Sequence, residues 1–82
     1  MSMKLGNLVD KKDYDFISFR MKLPEKYGGD DIFIGAATSK NGELISLDGD
    51  SYSKDCEIES FEEWSNEEEN VKNGLTVVLK GE

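Results

Sequence analysis

The stretch IFIGAATSKNGELISL, residues 32–47, decides the fold class. Asn41-Gly42 stands between two runs of strand-forming residues, and Asn-Gly is favoured in type I′ turns because both central residues take φ > 0. That turn has the twist that joins antiparallel strands, so residues 32–40 and 43–47 are predicted to form a hairpin. A two-residue loop sets Lys40 opposite Glu43, Thr38 opposite Ile45 and Ala36 opposite Leu47. One face then gathers Ile32, Ile34, Ala36, Ile45 and Leu47, and the other Phe33, Ala37, Ser39, Leu44 and Ser46. The first is the more apolar and is the expected core face, while Phe33 and Leu44 give the second partial cover.

Upstream, Ile17, Phe19, Met21 and Leu23 alternate with Ser18, Arg20 and Lys22, the period of a half-buried strand, which Pro24 closes. Leu5, Leu8 and Val9 fall at i, i+3, i+4 and predict one helical turn, and residues 10–13 read as a turn. Gly28-Gly29 marks residues 25–31 as a loop. Downstream of the hairpin, residues 48–51 form a turn and residues 56–64 alternate again. Cys56, Ile58, Ser60, Glu62 and Trp64 share one parity, and Glu57, Glu59, Phe61 and Glu63 the other. Phe61 sits on the acidic side and Glu62 on the apolar side. Either a bulge near residues 60–62 exchanges the faces, or Phe61 is an exposed ring among carboxylates. Ser65 with Glu68 reads as a capping box, predicting a short helix over residues 66–72 that Asn73-Gly74 ends. A last strand follows at residues 75–80, with Leu75, Val77 and Leu79 inward. The expected architecture is α+β and mostly β: a small antiparallel sheet or SH3-like barrel of four or five strands with one or two short helices, in a single domain spanning residues 1–82.

A chain of 82 residues has room for one core, and burying only about 60–65% of its unfolded surface leaves a thin stability margin. Its charge is lopsided. Residues 48–69 carry ten acids, Asp48, Asp50, Asp55, Glu57, Glu59, Glu62, Glu63, Glu67, Glu68 and Glu69, against Lys54 alone, so this segment holds the whole excess behind the net charge of −8. That balance disfavours direct contact with nucleic acid or anionic lipid and favours a basic protein partner. The single Cys56 has no internal disulfide partner, and no apolar run reaches signal-peptide or membrane-spanning length, so a cytoplasmic location is expected.

Catalytic chemistry has little to stand on. With no histidine, the usual general base, the commonest zinc ligand and Ser-His or Cys-His nucleophiles are absent. Cys56, on the inward parity of its strand, reads as an inert buried thiol. Paired carboxylates could serve as acid and base only with an apolar pocket and a cleft, which a small domain with solvent-facing acids lacks. Asp48, Asp50 and Glu59 match positions 1, 3 and 12 of a calcium loop, but Tyr52 and Ser53 fail positions 5 and 6. No cofactor site is read, and the chain is expected not to be an enzyme.

The acids have two readings. As the solvated face of an edge strand, Glu57, Glu59 and Glu63 would prevent edge-to-edge association. As a binding surface, same-face carboxylates spaced at about 6.6–6.8 Å form a row similar in pitch to nucleic-acid phosphates. Phe61 and Trp64 would then anchor the contact. The predicted partner-binding set is Glu57, Glu59, Phe61, Glu62, Glu63, Trp64, Glu67 and Glu68.

The runs ELISLDGDSY (residues 43–52), EIESFEEW (57–64) and GLTVVLKGE (74–82) resemble short acidic proteins carried by phages and mobile elements of Gram-positive bacteria. Some proteins of that origin are anti-CRISPR or other anti-defence inhibitors. The resemblance implies a non-enzymatic inhibitor or DNA mimic that docks on a basic, nucleic-acid-binding protein surface. The alternative is a structural or assembly protein of a phage or mobile element that self-associates through a sheet edge. Strand order, oligomeric state and the partner's identity are not readable from the residues.

Overall fold

The computed structural model describes residues 3–49 and 51–80. The elements run β1 (Met3–Lys4), α1 (Gly6–Val9), β2 (Tyr14–Lys22), β3 (Asp31–Lys40), β4 (Glu43–Ser46), β5 (Glu57–Asn66) and β6 (Val71–Leu79). Single 3-10 turns lie at Glu25–Tyr27 and Glu67–Glu69. All six strands belong to one sheet in the order β1-β5-β6-β2-β3-β4. The sheet therefore has one strand more than the sequence predicts, because β1 is too short to show a period. It is also not wholly antiparallel: β2 and β6 run parallel, with Ile17 beside Leu75 and Phe19 beside Val77.

The hairpin forms in the expected register, with Lys40 paired to Glu43 and Thr38 to Ile45. Asn41 and Gly42 take φ of 54° and 80°, as a type I′ turn requires. Its faces, however, are exchanged relative to expectation from Gly35 to Leu47, while a register shift against β2 between Phe33 and Gly35 leaves Phe33 outward opposite Arg20 and Ile34 packed against the core. Ala37 and Ser39 are buried and Leu44 packs against the core, whereas Ile45 and Leu47 are 50% and 54% exposed.

The reason lies in the route of residues 47–56. β4 is one edge of the sheet and β5 lies near the other, so the chain must cross one face between them. It crosses with the Tyr52 ring stacked on Phe19, centroids 4.0 Å apart and planes 6° from parallel. The Tyr52 hydroxyl donates to Asp48 Oδ2 (2.7 Å), which also accepts the Ala36 N–H (2.9 Å). Gly35 makes the crossing possible, since a Cβ there would run into the Tyr52 hydroxyl and the Asp48 carboxylate. α1 lies on the same face: Leu5 donates its N–H to Cys56 O (2.9 Å) and Gly6 to Lys54 O (2.8 Å). Leu5, Leu8 and Val9 thus close over Ile17, Phe19, Leu75 and Val77. The single helical turn is where the apolar spacing puts it.

The other sheet face has no helix upon it among the described residues. Phe33, Ile45 and Leu47 remain at least half exposed there.

Two further expectations are corrected. The helix over residues 66–72 is a hairpin turn instead. β5 runs on to Asn66, whose side chain, rather than that of Ser65, accepts the Glu68 N–H (3.1 Å). Asn70 then takes the left-handed conformation (φ 58°) and returns the chain into β6 at Val71. Asn73-Gly74 is consequently inside a strand, where Gly74 leaves room for the Trp64 ring. Cys56 precedes β5 and is half-buried rather than a core residue.

The assignment of faces gives a direct prediction. Phe19→Ala, which empties a fully buried site, should cost about 3–5 kcal/mol in urea unfolding. Ile45→Ser should stay within about 0.5 kcal/mol. A loss of several kcal/mol for Ile45→Ser would mean that the hairpin turns its other face to the core.

Candidate functional site

The acids gather on β5 and the 3-10 turn after it, and β5 is an edge strand over most of its length. β1 pairs only with Glu57 and Ile58, and no described strand pairs with the outer side of β5 beyond Ile58. On the inner side β5 pairs with β6, with register shifts between Ile58 and Ser60 and between Trp64 and Asn66. The first shift is a bulge at Glu59, and it exchanges the faces of all that follows. Phe61 lies opposite Val77 and Glu63 opposite Leu75, both on the core side. Glu62 and Trp64 lie opposite Thr76 and Gly74, on the outer face. Of the two readings of Phe61, the bulge is the one realised, though the ring is still 44% exposed at the rim of the core.

The predicted contact set is therefore contiguous along the chain but split across the sheet, and the regular row expected of Glu57, Glu59 and Glu63 is broken. Trp64 is half-buried, edge-on to Phe16 at 6.1 Å, and its Nε1–H donates to Thr76 Oγ1 (3.0 Å). Phe61 has no such partner ring among the described residues.

The carboxylates differ as much as the rings. Glu63 is held by the protein's own groups: the Tyr14 hydroxyl donates to Oε1 (2.7 Å), and Lys12 Nζ lies 3.0 Å from the same oxygen. Lys12 also sits 5.1 Å from the centre of the Tyr14 ring. The hydrogen bond from Tyr14, then that from Lys12, hold the Glu63 carboxyl below the usual glutamate range despite its exposure. Burial of Tyr14, with its bond to Glu63 and the nearby negative charge, pushes the phenol well above the ordinary tyrosine value. Glu57 is 3.6 Å from Lys80. Glu59, Glu62, Glu67, Glu68 and Glu69 are exposed and make no ion pair among the described residues.

Sequence reasoning missed Lys12 and Tyr14 as partners of this segment. Tyr14 lies 49 residues from Glu63, and no local period links them.

Asp48, the first position of the calcium-loop spacing, has its Oδ1 bonded to Ser46 Oγ (2.9 Å) and its Oδ2 to Ala36 and Tyr52. Glu59 is on a strand rather than an exiting helix, and Asp50 lies outside the described residues. Two shallow open hollows border β5. One is lined by Met3, Ile58, Glu59, Ser60 and Phe61, and the other by Lys22, Gly29, Asp30, Asp31, Glu59, Ser60 and Val78. No helix of the described residues is long and apolar enough to cross a membrane.

Comparison with protein-family models, curated proteins and solved structures finds no match for this chain.

The depressed Glu63 pKa fixes the sign of a pH effect. Its interactions stabilise the fold fully above the ordinary glutamate pKa, and that stability is lost as pH falls through the lowered folded value. Wild-type protein should accordingly exceed Glu63→Gln in urea midpoint near neutral pH, with the gap closing at strongly acidic pH. A gap independent of pH would remove the assigned role of the Glu63 charge.

Proposed function

We propose that this chain is a non-enzymatic, cytoplasmic binding protein that docks on a basic surface of a nucleic-acid-binding protein. The observation that carries this reading is the uneven neutralisation of the β5 acids. Glu57 and Glu63 have their own lysines, whereas Glu59, Glu62, Glu67, Glu68 and Glu69 line one exposed sheet edge and the turn that continues it. Like charges so arranged repel one another and cost stability in a small domain. A basic partner would relieve that cost, and opposite charge would steer its approach.

The surface proposed differs from the one predicted from the sequence. Glu63 stays with Tyr14 and Lys12, and Trp64 is committed to packing on Gly74, leaving Phe61 as the apolar anchor. The resemblance to acidic phage and mobile-element proteins fits an inhibitor that occupies a groove made for nucleic acid. A second reading, self-association in a phage or mobile-element assembly, draws on the exposed Phe33, Ile45 and Leu47 of the outer sheet face. A concentration-dependent dimer in sedimentation at micromolar protein, abolished by Phe33→Ser with Leu47→Ser, would favour that second reading.

For the leading reading, immobilised protein should retain basic nucleic-acid-binding proteins from bacterial lysate. Raising salt from about 0.1 to 0.5 M should release them, because screening shortens the reach of exposed charges. Their nucleic acid should be displaced in the complex. Reversal of Glu59, Glu62, Glu67 and Glu68 to Lys should abolish retention while the thermal unfolding transition persists. Retention unchanged by that reversal would overturn the proposal.

A further inference from the structure

We propose that the outer edge of β5 between its two register shifts is a strand-addition site for an extended peptide segment that alternates basic and apolar residues. This rests on the binding role just proposed and specifies its mode.

The backbone makes the first argument. Ser60 to Trp64 are in unbroken antiparallel register with β6, from Ser60 beside Val78 to Trp64 beside Gly74. In such a pair alternate residues turn their N–H and C=O groups away from the partner strand. On β5 those groups face outward with no described strand to receive them, since β1 stops at the level of Ile58. An incoming strand would satisfy them as a ladder, the usual source of affinity in this mode of recognition.

The side chains select the occupant. The hollow lined by Met3, Ile58, Glu59, Ser60 and Phe61 opens beside this edge on the core side, with Met3 37% and Phe61 44% exposed. An apolar side chain of the added strand fits there. Glu62, the next residue, projects from the opposite face and suits Lys or Arg. Consecutive residues of a strand point to opposite faces, so an apolar residue by Phe61 and a basic one by Glu62 is the alternation of one extended segment. A second copy of β5 is a poor occupant, because an antiparallel pair centred on this segment brings Glu62 against Glu62, and like charges placed opposite are destabilising.

The probe is a peptide of about nine residues alternating Lys and Val, titrated into 15N-labelled full-length protein. Two further versions carry backbone N-methyl groups on every second residue, one in each phase. Amide shifts should concentrate on residues 60–64. One N-methylated phase should bind at least roughly tenfold more weakly while the other binds as well as the parent, because only one phase presents N–H groups to β5. Equal binding of both phases, or shifts confined to Glu67–Glu69, would overturn strand addition while leaving the acidic docking role standing. Failure of the parent peptide to bind, with retention of basic proteins intact, would do the same. Loss of both would overturn both. Dimerisation of the protein through residues 60–64 in the absence of peptide would assign the edge to a second copy instead.

Discussion

The contact on which this fold depends is the stack of Tyr52 on Phe19. The connection from β4 to β5 has to span the sheet from one side to the other, and a chain crossing a sheet needs something to hold it to one face. Here two parallel rings at 4.0 Å supply the apolar contact. The hydroxyl at the far end of the same ring reaches Asp48, whose carboxylate in turn receives a backbone N–H of β3. A carboxylate that accepts a backbone N–H and a phenol together is a strong local tie, since charge-assisted hydrogen bonds exceed neutral ones. Gly35 is the complement of this arrangement, since a side chain there would collide with it.

Once that crossing is fixed, much else follows. α1 joins the crossing segment through backbone bonds at Leu5 and Gly6, and together they roof one face of the sheet. The opposite face keeps only what its own residues provide: Trp64 packed over Gly74 and edge-on to Phe16, and three exposed apolar side chains on β3, β4 and the residues just after. A chain this short cannot cover both sides of a six-stranded sheet. What it offers to other molecules is accordingly an open face and the edges of the sheet.

The acidic segment illustrates how packing changes the meaning of a charge pattern. Ten acids in one run look uniform, but a bulge at Glu59 and the reach of Lys12, Tyr14 and Lys80 sort the glutamates of β5 into those with a lysine of their own and those without one among the described residues. Glu63 becomes a structural group that ties β5 to the start of β2. Glu62, its neighbour, faces the other way. The two readings offered for the acids, as guards of an edge and as a docking surface, meet at β5: the strand is an edge, and under the proposal the same charges that discourage pairing with a second β5 would favour a basic strand.

Local chemistry made part of this legible. Asn41-Gly42 fixed the hairpin and its register because only a few residues accept φ > 0 in succession, and the period of Ile17, Phe19 and Met21 identified β2 with its inward side. The spacing of Leu5, Leu8 and Val9 gave α1. Other elements carried no such signal. β1 is two residues long, and the turn at Glu67–Glu69 offers the same capping chemistry as a helix start, so only the pairing of Val71 to Asn66 distinguishes them. Gly35 was visible as a glycine but not as the space for a ring seventeen residues later.

By itself, then, the sequence determined the elements whose conformation depends on near neighbours: the hairpin, the alternating strands, the single helical turn and the acidic run. Tertiary structure decided which face of the hairpin is buried, that β2 and β6 lie side by side in parallel, and which glutamates keep a partner of their own. Those outcomes depend on groups far apart in the chain, such as Tyr14 and Glu63 or Gly35 and Tyr52, brought together when one segment crosses the sheet. Side-chain period along a strand says that two faces differ, and it takes the path of the rest of the chain to say which of them is covered.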